Sequence, residues 1–314
     1  MSRHRAHCTK RVAANIAAIA AVLAAGCGSD DDGNPGPRIS ATTGVAADIA
    51  RQIAGPDAQV EQVIPDSASP HDFSLSAQDR AELEDSALLV SNGADLETGI
   101  PFEDVDVPEF AFADHAGELL AFGGSGEEDH AEEEEGDHGD DDPHLWMDPT
   151  RVAEAVPALG EAMAEADPDH AAGYRARAND YVAQLGGLDA EVERTLAAVP
   201  QGDRMLVTSH DALAYFADRY GFQVVATAFP ASGPEAEASA ASIQETEEAI
   251  AASGVPAVFA EETDDPQVLE QISERTGVEI VGGLLVETPG EAGSYVEMMR
   301  RDAELIAGAL TAPG

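Results

Sequence analysis

The chain has 314 residues, 44% of them hydrophobic, and carries a formal net charge of −45 with a single lysine, Lys10. That length accommodates two modest domains with complete cores. Acidity on this scale argues against nucleic acid or anionic lipid as a binding partner, because phosphates would be repelled, and it reads as a habitat signal: high ionic strength screens the self-repulsion such a surface would otherwise suffer.

The N-terminus stands apart from the rest. Arg3, Arg5, Lys10 and Arg11 form a basic region, Val12 to Ala25 is a short alanine-rich apolar run, and Leu23-Ala24-Ala25-Gly26-Cys27 has the form of a lipoprotein cleavage box. The apolar run is too short to favour a transmembrane span. Residues 1–27 therefore read as a lipoprotein signal peptide, with Cys27 the lipidated first residue of the mature chain, anchored to the membrane from outside the cytoplasm. Cys8 falls in the removed segment, so the mature chain is expected to hold together without a disulfide. Residues 28–37 are rich in Gly, Asp and Pro and read as a flexible tether.

Strand-like and helix-like patterns then alternate. Ile39 to Thr43 and Val60 to Ile64 predict strands flanking a helix at about Ala46 to Ile53. A helix at about Ala77 to Asp85 precedes the apolar run Ala87 to Val90, as a buried parallel strand would. Eleven of residues 127–142 are acidic, and His130 and His138 stand among them; such a run cannot pack a core, and the segment 123–142 is expected to be disordered. Asp148-Pro149 and Asp167-Pro168 each place an N-cap acid before proline at the first helical position. The second opens a long helix whose stripe is Tyr174, Tyr181, Leu185, Leu188, Val192 and Leu196, roughly 45–50 Å if continuous at 1.5 Å per residue, and weakened locally at Gly186-Gly187. Pro200 ends it. Strands follow at Met205–Thr208, Val224–Ala228, Ala257–Ala260 and Glu279–Gly282, with helices at 211–219, 236–253, 266–275 and 293–311. The fold class is α/β: two pseudo-symmetric lobes with parallel-type sheets, 38–166 and 201–314, joined by one long rigid helix at 167–200.

His71, His144 and His210 lie far apart in sequence, in the contexts Pro70-His71-Asp72-Phe73, Asp142-Pro143-His144-Leu145-Trp146-Met147-Asp148-Pro149 and Thr208-Ser209-His210-Asp211-Ala212. Each sits at a strand end or a loop–helix junction, where separated loops can bring imidazoles to one point in a cleft between lobes. Zinc takes four nitrogen or oxygen ligands, so a carboxylate is needed beside the three histidines. Because imidazoles bind only when deprotonated, affinity should weaken below roughly pH 6.5. Glu261 and Glu262 end a strand facing the same crevice; either could orient an imidazole, and either could be a plain surface acid. Trp146, beside His144, is a further candidate for support of the site. His115 and His170 have no such context and read as structural.

The same stretches, with Ser91-Asn92-Gly93-Ala94-Asp95-Leu96-Glu97, His210 to Phe216 and Gly293 to Arg300, resemble the solute-binding lipoproteins of metal ABC transporters, zinc-uptake type, from about Ile39 to about Leu310. The resemblance implies one zinc ion captured between the lobes by a monomer and delivered to a cognate permease and its ATPase. It puts Glu287 at the family's carboxylate position, where aspartate is commoner; the alternative is a solvated loop acid. It implies that the linking helix limits hinge motion. It also implies that the loop holding His130 and His138 gathers zinc, although a merely solvated insertion reads equally well. Manganese relatives replace the third histidine with a carboxylate, so His210 favours zinc. Uptake of manganese or another divalent metal, and a surface zinc-buffering or adhesin lipoprotein, are the alternatives. A metallohydrolase would need an open zinc position, which four protein ligands do not leave, so no catalysis is expected.

Overall fold

The structure, a computed structural model, describes residues 36–122, 141–229, 240–261 and 266–311. The first lobe begins β1 (Arg38–Ala41), α1 (Gly44–Ala54), β2 (Gln59–Gln62), α2 (Ala77–Glu84), β3 (Leu88–Ser91) and β4 (Glu109–Ala111). Two long helices follow, α3 (Pro149–Ala166) and α4 (Ala171–Leu196). The second lobe continues with β5 (Met205–His210), α5 (Ala214–Tyr220), β6 (Gln223–Phe229), α6 (Ala240–Ser253), β7 (Ala257–Glu261), α7 (Pro266–Thr276), β8 (Glu279–Leu284) and α8 (Tyr295–Thr311).

Both sheets are four-stranded and parallel, ordered β2-β1-β3-β4 and β6-β5-β7-β8. The order is the same in each: the first strand of a lobe lies between its second and third. The direction of winding therefore reverses between β1 and β3 and again between β5 and β7, and a crevice opens beyond the carboxyl ends of the strands at such a reversal. Local chemistry sets the helix starts. The Thr43 hydroxyl accepts from the Ala46 amide at 3.1 Å and caps α1, Ser76 and Asp79 form a reciprocal capping box on α2, and the Asp148 carboxylate caps α3 directly before Pro149.

The expected linking helix is present with a different start. Pro168–His170 form a 3-10 turn, and the regular helix is Ala171–Leu196, roughly 39 Å long at 1.5 Å per residue. Its predicted stripe is buried throughout, and Gly186-Gly187 leaves it unbroken. One apolar cluster runs from Ile39 and Val90 in the first lobe through Leu185, Leu188 and Val192 to Phe216, Leu284 and Met298 in the second. The edge strand β4 has no counterpart among the elements the sequence predicts, and two residues of the predicted acidic loop belong to the fold. Asp141 bridges Ala121, and Asp142 is buried. Residues 123–140 lie outside the described residues, as does the segment 1–35 with Cys27. Among the described residues, no helix is long and apolar enough to cross a membrane.

Leu185 packs at the middle of the shared cluster with no exposed surface. Leu185→Ala should destabilise the protein by about 2–5 kcal/mol through lost burial and an unfilled cavity, read as a lowered midpoint in denaturant-induced unfolding.

Candidate metal centre

The three histidines arrive at one point from three kinds of position. His71 stands in the loop after β2, where the Thr98 hydroxyl donates to its carbonyl at 3.1 Å. His144 precedes a 3-10 turn, Leu145–Met147, that leads into α3. His210 is the last residue of β5, at the reversal of the second sheet. Their ring centroids are 5.4, 5.5 and 4.9 Å apart, and donor atoms of the three lie within 4.8 Å of one another.

The outer nitrogens of two rings are held by carboxylates. Asp142 Oδ1 lies 2.8 Å from His144 Nδ1 and accepts from the His144 amide at 2.9 Å. Glu261 Oε1 lies 3.1 Å from His210 Nδ1 across the reversal between β5 and β7. A carboxylate on Nδ1 fixes the ring and leaves Nε2 to face inward. All three Nε2 atoms are buried, and those of His144 and His210 have no hydrogen-bond partner among the described residues. Buried polar atoms rarely go unpaired, so two imidazole nitrogens left so mark a place for a ligand.

Glu287 stands beside this group. Its Oε1 is 3.8 Å from His71 Nε2 and accepts from the Ser69 hydroxyl at 3.0 Å. Trp146 packs its ring against His144 at 5.4 Å, and its indole N–H donates to the Val286 carbonyl at 2.8 Å. It thus ties the His144 loop to the segment that bears Glu287. Glu262, His130 and His138 lie outside the described residues, His115 stacks on Phe110 at 5.0 Å, and His170 is exposed and bonded to Asp167.

Burial and charge set the protonation of the site. Burial holds His144 well below the ordinary imidazole range, with the His210 charge adding to the effect, so it is neutral. Burial also opposes charge on His210, but the hydrogen bond and charge of Glu261, helped by Glu287, more than offset it and lift the group to about 9. Burial and the Glu261 charge push Glu287 up to about 7, and burial lifts Asp142 to about 6. Near neutral pH the site therefore holds a proton on His210, which any ion taken up at its Nε2 would have to displace. This moves the expected pH window upward from the value for a free imidazole.

Sequence reasoning missed several residues that build the centre. Asp142 groups by composition with the acidic run, although its place two residues before His144 marks it as a partner of that ring. The Tyr215 hydroxyl donates to the Asp142 carbonyl at 2.8 Å and accepts from the Leu120 amide at 3.0 Å, which holds both ends of the acidic segment. Asn92, at the end of β3, donates from its carboxamide to the Pro143 carbonyl at 2.8 Å. Buried Glu97 in turn accepts from the Asn92 amide at 2.9 Å and from the Thr42 hydroxyl at 2.6 Å, and so steadies a turn in which Ala94 and Asp95 adopt φ of 51° and 55°.

Comparison with known proteins agrees with this geometry. Residues 39–309 match the periplasmic component A of the zinc-uptake complex, ZnuA. The manganese-binding lipoprotein MntA of Halalkalibacterium halodurans is 28% identical over 306 residues, 93% of this chain and 96% of the relative. The zinc-binding protein TroA of Treponema pallidum is 29% identical over 293 residues, 90% of this chain and 92% of its own. A solved structure of that periplasmic zinc-binding protein superimposes with a TM-score of 0.75 at 28% identity, covering 88% of this chain and 100% of the other. The chain belongs to the family of the periplasmic zinc-uptake component A, the metal-binding solute-binding lipoproteins of ABC transporters.

Proposed function

We propose that this protein captures one zinc ion with His71, His144, His210 and Glu287 and delivers it to an ABC permease for uptake. The observation that carries the reading is the convergence of three imidazoles whose Nε2 atoms are buried, two of these nitrogens being unpartnered among the described residues. Three neutral nitrogens and one carboxylate suit a borderline ion such as zinc, whereas harder manganese prefers more oxygen. Asp142 and Glu261 orient His144 and His210 from behind. Four protein donors would complete a tetrahedral shell and leave no place for an activated water, so we assign the site to binding and not to catalysis. The relative MntA, named for manganese, supports a second reading in which manganese is the cargo.

Cys27 is the proposed lipid anchor. Cys27→Ala should release the protein from the membrane fraction without changing metal affinity; retention in that fraction would overturn the anchor.

The protonation of the site gives a pH prediction. A ligand that is protonated before binding must lose its proton, so affinity is greatest above its pKa and falls as pH drops through and below it. For His210 the decline starts at about 9, and Glu287 adds to it below about 7. The slope should be about tenfold per pH unit between these values and steeper below the lower one. Zinc calorimetry at pH 7 in buffers of different ionisation enthalpy should show between about one and two protons released per zinc. An affinity constant from pH 6 to 8 would contradict the assignment of both ligands.

His210 also carries the choice of metal. Changing His210→Glu replaces an imidazole with a second anionic oxygen donor, so zinc affinity should fall at least about tenfold while manganese affinity falls less or rises. Competition titrations with both metals check this. An unchanged preference would show that His210 does not touch the ion.

A further inference from the structure

The segment that brings Glu287 to the site is short, and each of its residues is pinned. It leaves the sheet at an irregularity: Ala260 pairs with Gly282 but Glu261 pairs with Leu284, so Gly283 is an extra residue, at φ 91°. Such a bulge re-aims the chain beyond it. Val286 then accepts from Trp146, and Glu287 from Ser69, both in the first lobe. The remaining residue, Leu285, is held from the second lobe: its amide donates to Asp302 Oδ1 at 3.0 Å.

Asp302 is an unusual residue for this place. It lies in α8, seven residues after Tyr295 and so on the same face, and neither is exposed to solvent. Tyr295 fixes that helix against the first lobe, its amide donating to Asp48 at 2.8 Å and its hydroxyl to the Trp146 carbonyl at 2.6 Å. Asp302 Oδ2 is buried without a hydrogen-bond partner among the described residues, and burial lifts the carboxyl to about 8. An apolar side chain would satisfy the packing of an α/β core at less desolvation cost, so the acid is retained for its acceptor.

We propose that Asp302 is a positioning residue for the metal site: by capping the Leu285 amide at the end of β8, it holds the segment Leu285-Val286-Glu287 in the shape that presents Glu287 to the ion. Among the described residues its hydrogen bond holds this segment from its own lobe, whereas the Val286 and Glu287 hydrogen bonds both reach the first lobe. The inference rests on Glu287 being a metal ligand.

A double-mutant cycle separates positioning from general stability, because residues acting through one contact are non-additive. In the otherwise unchanged protein, Asp302→Leu should lower zinc affinity about tenfold, and Asp302→Asn, which keeps an acceptor oxygen, should leave it within about twofold. In a Glu287→Ala background, Asp302→Leu should change zinc affinity by less than about twofold. An equal loss in both backgrounds, or a loss in Asp302→Asn as large as in Asp302→Leu, would overturn the proposal. Hydrogen exchange at the Leu285 amide of the metal-free wild type gives a reading that needs no variant: slow exchange is expected, and fast exchange would overturn the cap. If Glu287→Ala alone leaves zinc affinity unchanged, Glu287 is no ligand and positioning for the metal falls with it; the exchange measurement still shows whether the cap exists.

Discussion

Buried imidazole nitrogens turned toward one point, with carboxylates crowded around them, are unfavourable until something joins them. Within about 5 Å the protein brings together His71, His144 and His210, and Asp142, Glu261 and Glu287 stand around them. Without an ion, burial opposes charge on His144, His210, Asp142 and Glu287. The site compensates by holding a proton on His210 and by raising Glu287 toward neutrality. A divalent cation removes that conflict at once, accepting the nitrogen lone pairs and balancing the acids.

The duplicated topology makes this convergence possible. Each lobe reverses its winding next to its first strand, and the two crevices supply different parts of the site. In the second lobe the reversal itself carries the chemistry, since His210 ends β5 and Glu261 ends β7. In the first lobe the equivalent place is filled by the Thr42–Glu97–Asn92 network, which supports Pro143 and through it His144. One reversal carries an imidazole of the site itself, and the other holds a loop that carries another. The hydrogen bonds of Trp146, Tyr295 and Ser69 then join the two halves around the site.

Much of this was legible in the residues themselves. The stripe of α4 follows helical spacing, Asp148-Pro149 is a local start signal, and the apolar runs of β3, β5 and β7 have the composition of buried parallel strands. The three histidines stood out because each follows or precedes such a signal. What escaped was set by contacts distant in sequence. The strand β4 has three residues after Pro108, too few for alternation to register. Asp142 follows a run of acids and differs from them only through His144 and Tyr215, which pair with it in the folded chain. Glu261, which the sequence offers together with Glu262 as a support for an imidazole, is a different case: only its pairing with His210 in particular depends on which strands are neighbours. Asp302 carries no motif at all; its meaning lies in an amide 17 residues earlier.

If three imidazoles and one carboxylate surround a single zinc ion, X-ray absorption at the zinc edge of the stoichiometrically loaded protein should show it. Four light scatterers are expected at about 2.0–2.2 Å, with the multiple-scattering signature of three imidazole rings. A spectrum with oxygen scatterers and one ring or none would place the ion elsewhere and contradict it.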